Sequence, residues 1–496
     1  MNRPASNRRP RLPLIALGLC YTLGLVFVIW VLSGDHPPTA DAKIMRLTMF
    51  WVACAVMWAM LTAIAILLHR APAAEVSGWT AWRPAGNVMI ILAVAVLMRL
   101  VTVCVTDPYF SDDIWRYIHD GQTLAAGRSP YAESPDEVIK RYDNDRQAMP
   151  DIDVSTARLV NHPNLVTIYQ PTSQWAFASA ALISRWVEPD RSTHGKSRTT
   201  SIVFRLLFVS FDIWIVALLM LKLLREGVSV WWSVLYGWHP LVLSEVAASG
   251  HQDVIGIAWL LMALTLADDQ GFIAGGASPR LKMFNRARPV LTGGALALAI
   301  GVKPLVAPLV LPLAWSMRRQ PKAACAAVLA ACVTIAALYL PFAAMEGGLD
   351  RMWHTVMTFM DRWSFNNSLH DPLSQTLGST DLAGMALGVV LFVILIVATL
   401  SRTGLWRVSL IYLFAALLLS STVHPWYLLW ALALLPIRFS CGAWVMSLTV
   451  AWSYVAILDH SIYVVPGGLL AAEYIPVYAL VLWPIAQRLS KKCGAT

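Results

Sequence analysis

The stretch Phe110-Ser-Asp112-Asp113-Ile-Trp-Arg116-Tyr117-Ile-His-Asp120-Gly, continued by Ala126-Gly127-Arg128-Ser-Pro130-Tyr131, gathers ionisable groups directly after an apolar segment. A carboxylate there can take a proton from a hydroxyl nucleophile, and an arginine beside it can bind anionic oxygens. Pro108 and Ser111 suit a helix start, and Asp112 and Asp113 favour the positive end of a helix dipole. From Asp113, helical spacing puts Arg116, Tyr117 and Asp120 on one polar stripe. Ile114, Trp115 and Ile118 then face lipid or the rest of the protein. An amphipathic helix lying on a bilayer surface is expected, its carboxylates turned into a cavity. An isolated Asp-Asp pair is more often an acidic cap on a solvated loop; the neighbours here favour chemistry.

The elements that must position this stretch are apolar. Of 496 residues, 57% are hydrophobic and only 14% charged, against about 25% charged in soluble domains. Mean hydropathy is +0.59. One large soluble core does not need repeated apolar runs of about 20 residues, the length that spans hydrocarbon. The 22 Trp and 14 Tyr fit the same setting, since amphipathic aromatics favour the headgroup region. The net charge of +9 reads as topology rather than nucleic-acid affinity, so no nucleic-acid partner is expected. Arg3, Arg8, Arg9 and Arg11 crowd one terminus and Arg488, Lys491 and Lys492 the other, which predicts both termini on the cytoplasmic side. Seven cysteines, Cys20, Cys54, Cys104, Cys325, Cys332, Cys441 and Cys493, form no CxxC pair and read as small packing residues. The run Leu12–Leu32 is longer than a signal-peptide core and lacks a clear cleavage site, so it reads as a membrane anchor.

Apolar segments recur from 13–33 to 471–487, several short or interrupted by Pro, giving an all-α polytopic bundle of 12–14 spans. Two polar stretches break the rhythm, about 106–167 and about 344–380, the second containing WSFNNSLHDPL. Counting inward from cytoplasmic termini puts both on the outer face. The segment 268–288, with Arg280, Lys282, Arg286 and Arg288, argues for an inside location. His251-Gln252-Asp253 then lies outside, 168–186 is interfacial or re-entrant, and 289–316 is two short helices meeting at Lys303-Pro304. A plain count of fourteen spans instead leaves 268–288 outside. The first arrangement is preferred because it gathers every polar motif on one face.

The order of these motifs resembles the C-type (GT-C) glycosyltransferases, membrane enzymes that use polyprenyl-phosphate sugars. SDDIWRYIHDG with the following GRSPY is similar to their bacterial mannosyltransferase-like branch. Asn161-His162-Pro163, Ile168-Tyr169-Gln170-Pro171, His239-Pro240, Gly250-His251-Gln252-Asp253, Gly301-Val-Lys303-Pro304 and His424-Pro425-Trp426-Tyr427 resemble later elements in the same order. The resemblance covers about 86–440, and the first two spans look like an addition. It implies two N-terminal transmembrane helices (1–85), a catalytic module (86–343) with the acidic outer loop 106–167, a second outer loop (344–380) and C-terminal helices (381–496). It also implies a bacterial cell membrane.

The implied reaction is inverting transfer of a sugar, mannose expected, from a polyprenyl-phosphate donor to a glycan or lipid-linked acceptor. Related families place a Tyr four positions after the key Asp, which favours Asp113, with Asp112 second. Lys303, Arg116 and Arg205 are candidates for the donor phosphate, supported by His251 or His424, with Tyr117, Asp120 and Asp253 toward the substrates. Plainer readings stand beside these. Lys303 snorkels, Arg205 sits at an interface, and Arg99 pairs with a carboxylate; Asp212 partners an Arg such as Arg205. His251 and Asp253 cap a helix after Gly250, and His424 starts one. Asn366, Asn367, His370 and Asp371 close the cavity over the acceptor or form a solvated loop. No cofactor is required, although Asp112 with Asp113 offers a place for a divalent cation. Membrane lipids are the remaining expected partner. The rival reading is a polytopic transporter or lipid-linked sugar flippase, which normally keeps polar residues at midplane and shows doubled halves. A lipid-linked polymerase or ligase would carry catalytic Arg or His in a later outer loop.

Overall fold

The computed structural model describes residues 39–70, 84–108, 110–145, 152–188, 198–268, 279–458 and 464–493, with Tyr21, Gly24, Leu25, Val28 and Val31. Apart from those five residues the expected anchor Leu12–Leu32 lies outside the described residues, as does part of the basic segment 268–288. Helices of eight residues or more are numbered in chain order: α1 Ala40–Arg70, α2 Pro84–Val105, α3 Asp113–Ala125, α4 Pro135–Asn144, α5 Pro171–Val187, α6 Arg198–Arg225, α7 Asp253–Asp268 and α8 Pro279–Ile300. They continue as α9 Pro321–Ala344, α10 Asp350–Arg362, α11 His370–Leu377, α12 Thr380–Leu400, α13 Leu405–Leu419, α14 Cys441–Thr449 and α15 Gly467–Cys493. Among the described residues the only β pairing is a single parallel bridge, Phe365 to Thr422.

Among the described residues, seven segments are long and apolar enough to cross a bilayer: Asp41–Arg70, Ala85–Val105, Arg198–Arg225, Pro321–Ala344, Thr380–Leu400, Cys441–Leu458 and Gly467–Pro484. Apolar side chains such as Leu97, Leu329, Val389 and Trp483 stand exposed on them, as lipid-facing residues do. This is a polytopic helical membrane protein. Beyond these seven, the other described apolar segments form shorter or broken elements. Residues 228–248 run in 3-10, α and π turns from the end of α6 back toward α7. The 289–316 run does break at Lys303-Pro304, because Pro304 cannot continue α8; a 3-10 turn and the short helix Val310–Ser316 follow. The five cysteines described in full, Cys54, Cys104, Cys325, Cys332 and Cys441, are unpaired.

The contacts give the bundle two ends. Near one, α2 ends beside the start of α6, where Arg198 donates to the Cys104 carbonyl (2.8 Å) and α7, α13 and the α8–Lys303 turn also begin or finish. At the other, Lys222 of α6 pairs with Asp268 at the end of α7, and Arg438 with Glu226 (3.0 Å). His251-Gln252-Asp253 therefore shares an end with the acidic stretch, and Asp268 lies at the opposite end.

Helix α3 departs from expectation. Residues Ile114 through Leu124 are all buried, so it is enclosed by protein and does not lie on a bilayer surface. The reason is its close fit to α5. A Cβ on Gly121 would stand 2.4 Å from the Phe177 carbonyl oxygen, so only glycine permits this approach. Gly121→Ala is expected to cost about 1–3 kcal/mol or more. A clear drop in thermal midpoint in detergent checks it, and an unchanged midpoint contradicts the packing. In the 344–380 stretch, α10 exposes Trp353, Met357 and Met360 along one side.

Candidate active site

Asp113 opens α3, and its amide is capped by Ser111 Oγ (3.2 Å); the Asp112 side chain makes no cap bond. The Asp113 carboxylate is half-buried and held from downstream. Tyr169 Oη donates to Oδ2 (3.1 Å), Tyr117 Oη lies 3.5 Å from the same oxygen, and Asn161 Nδ2 donates to Oδ1 (3.3 Å). The Tyr117 ring stacks on Phe177 and meets Tyr169 edge-on, which fixes both phenols. Burial raises the Asp113 pKa above the ordinary carboxylate value, while the Asn161 and Tyr169 donors and the Arg116 charge pull it back. Asp112, by contrast, is exposed.

A base must be ionised, so activity that depends on Asp113 falls as pH drops through its raised pKa. Removing a donor to the carboxylate raises that pKa further. Tyr169→Phe is expected to move the acid limb of kcat/KM to higher pH, read from a full pH profile. A limb that stays put or moves down contradicts the assignment.

The other motifs converge on this carboxylate. His251 lies against it, Nδ1 4.0 Å from Asp113 Oδ2, and stacks on Trp426 at 3.8 Å between ring centroids. Trp426 stacks on His424 (4.3 Å), and His424 on Phe365 (4.7 Å). Four rings thus form a continuous pile from Phe365 in the 344–380 stretch to His251 beside Asp113. The pile is anchored by backbone bonds between Phe365 and residues 421 and 423 and by Asn366 and Asn367 donating to the Val423 and Ser421 carbonyls. Asn366 and Asn367 are therefore buried and tied down, while Asp371, its side chain half exposed, accepts from Ser364 (2.7 Å) and faces His370 at 3.3 Å. Lys303 donates to Asp253 Oδ1 (2.9 Å) and lies 3.4 Å from the Tyr427 ring centre, while Trp430 Nε1 donates to the same carboxylate oxygen (2.7 Å).

Three sequence candidates serve elsewhere, and their roles are corrected. Arg116 turns to the following loop and donates to the carbonyls of Leu165 (2.9 Å), Asn161 (2.9 Å) and His162 (3.0 Å). It is a strut that presents Asn161 to Asp113. Asp120 is buried under α5, accepts from Gln174 Nε2 (3.0 Å), and has its pKa pushed up to about 6 by burial. Arg205 is wholly buried and donates to Thr106 O (2.8 Å), tying α6 to the end of α2. Asp212 pairs with Arg99 (2.5 Å), not with Arg205, so the structural reading of Arg99 holds. His239 caps a short turn and contacts Ser447 Oγ (3.0 Å), away from the cluster.

Neither Tyr169 nor Asn161 was expected at the site, although both stand in the motifs Ile168-Tyr169-Gln170-Pro171 and Asn161-His162-Pro163. Glu245, a wholly buried carboxylate, was not singled out either. The available signal was a lone carboxylate inside the apolar run 229–247, a costly placement that calls for a partner. Among the described residues no group of three or more His, Cys, Asp or Glu is gathered as for a metal ion. A cavity of about 280 Å³ between Asn164–Val166 and Asp350–Thr355 borders the strut loop rather than the carboxylate. Comparison of the sequence with models of known protein families and with characterised proteins finds no match.

Proposed function

We propose that this chain is an integral membrane glycosyltransferase that moves a sugar, mannose first in expectation, from a polyprenyl-phosphate donor to a glycan or lipid-linked acceptor. The supporting observation is the gathering of Asp113, Tyr117, His251, Asp253, Lys303 and His424 at one end of the bundle around a half-buried, hydrogen-bonded carboxylate. The C-type motif order in the sequence is independent support.

In this reading the acceptor hydroxyl attacks the anomeric carbon and gives its proton to Asp113. The bond from that carbon to the phosphate oxygen breaks, and the electron pair leaves with the lipid phosphate. Lys303 is the cation suited to that growing charge, because Asp253 and the Tyr427 ring occupy only part of its donor capacity. The ring pile excludes water that would otherwise hydrolyse the donor.

The opposite end carries Arg225, Arg318, Arg319, Arg402 and Arg438, which favours a cytoplasmic location for that end. The site then faces outward from a bacterial cell membrane, with 12–14 crossings when the short traverses are counted and both termini inside. Incubating the purified protein with a synthetic polyprenyl-phosphate hexose and candidate acceptors tests the reading. A donor-dependent glycoside is expected. Substrate-dependent flux across liposomes without transfer would favour a transporter instead.

A further inference from the structure

Glu473 is a carboxylate inside an apolar span that the reaction as written does not use. It is wholly buried in α15, where an ionisable side chain is costly and calls for a reason. Oε1 accepts from Asn366 Nδ2 (3.3 Å), while Oε2 is buried without a partner among the described residues. The Asn366 amide is therefore what this carboxylate holds. Two tyrosines one turn apart on α15 reach the same loop. Tyr474 Oη donates to the Asn366 carbonyl (2.6 Å), and Tyr478 Oη meets Ser368 Oγ (2.6 Å). What this clasp holds is strained. Asn366 has φ +49°, a left-handed backbone that a residue other than glycine keeps only where its surroundings impose it. Next to that bend, Phe365 stacks on His424 at the end of the ring pile. Two residues earlier, the Trp363 ring meets the His162 ring edge-on at 4.9 Å, and His162 follows Asn161, which binds Asp113. The segment 363–366 thus touches both the ring pile and the loop that presents Asn161.

We infer that Glu473 is a positioning residue that, through Asn366, holds the 363–368 segment closed over the site and so keeps water from the donor. Asn366 is over-determined by three groups: its amide goes to Glu473 and to the Val423 carbonyl (3.3 Å), and its carbonyl accepts from Tyr474. Without the Glu473 acceptor the left-handed turn loses one of these contacts, and Phe365 and Trp363 leave their places more often. Water then competes with the acceptor hydroxyl for the anomeric carbon. A water oxygen forms the new bond, its proton goes to Asp113, and the bond to the phosphate oxygen breaks with the electron pair leaving on the lipid phosphate. The product is free hexose instead of a glycoside. Glu473 thus acts on the choice between acceptor and water without touching either substrate. This rests on the glycosyl-transfer reading, and its test separates the two.

The full chain in nanodiscs is compared as wild type, Glu473→Gln and Glu473→Leu. Gln keeps an acceptor for the Asn366 amide and Leu does not. In Glu473→Leu, the backbone amides of 363–371 are expected to exchange with deuterium about tenfold faster, the effect of losing one hydrogen bond. With a synthetic polyprenyl-phosphate hexose and a candidate acceptor, the share of donor hydrolysed to free hexose is expected to rise several-fold. Glu473→Gln is expected to match the wild type in both measurements. Tyr474→Phe, lacking only the hydroxyl bound to the Asn366 carbonyl, is expected to move both as Leu does, and it carries the test where Leu yields no folded protein. A Leu variant with wild-type exchange, or with faster exchange and an unchanged hydrolysed share, overturns the inference. So does a Gln variant that behaves as Leu does. A wild type that turns over no donor, with Glu473-dependent protection of 363–371, supports the clasp and counts against the transferase reading.

Discussion

Asp113→Asn is expected to lower kcat/KM for transfer by about 10²–10⁴-fold, the usual contribution of a positioned general base. Asparagine keeps the shape and one carbonyl acceptor, so Tyr169 and Asn161 retain much of their contact and the fold should persist. What disappears is the ability to hold the acceptor's proton. Asp112→Asn is the matched control. That residue is exposed and makes no cap bond, so its loss should leave most of the activity. Steady-state kinetics on both variants decides between them. A dead Asp112→Asn beside an active Asp113→Asn would move the base by one residue and undo the role given to Tyr169, Asn161 and His251.

Arg99→Met is expected to be the most destabilising single change among those considered. Arg99 Nε meets Asp212 Oδ2 at 2.5 Å, and a second guanidinium nitrogen donates to the Gly237 carbonyl (2.6 Å), with both side chains almost wholly buried. Removing one partner strands the other charge where water cannot reach it, a loss of about 3–5 kcal/mol in comparable buried pairs. The double variant Arg99→Met/Asp212→Leu replaces the pair by apolar groups and should recover much of that loss. Thermal unfolding in detergent measures all three. A single variant as stable as the wild type would mean that the pair does not join α2 to α6 and the 228–248 segment.

How much of this was legible beforehand depends on which interactions are local. The apolar runs announced a helical membrane bundle, and the break at Lys303-Pro304 follows from proline alone. Arg99 was expected to find a carboxylate, and it does. Placing His251-Asp253 beside the acidic loop came from charge bias across the segments, a property of the chain rather than of any one contact. The failures are tertiary. Arg116 and Arg205 have the right chemistry for a phosphate, but sequence does not reveal that backbone carbonyls of 161–165 and of Thr106 claim them first. The α3 stripe was read correctly in periodicity and wrongly in setting. Nothing in its own residues says that Gly121 admits α5 close enough to cover it. The form of the short traverses was not legible, because 228–248 and 425–435 run in irregular turns that hydropathy does not distinguish from helix.

The most direct measurement of the central claim is a single-turnover reaction in sealed proteoliposomes with a polyprenyl-phosphate hexose labelled at the anomeric carbon. The account predicts one acceptor glycoside and one free polyprenyl phosphate per donor consumed, with the anomeric configuration inverted. Intact donor recovered on the other side of the bilayer, or a product of retained configuration, would contradict it.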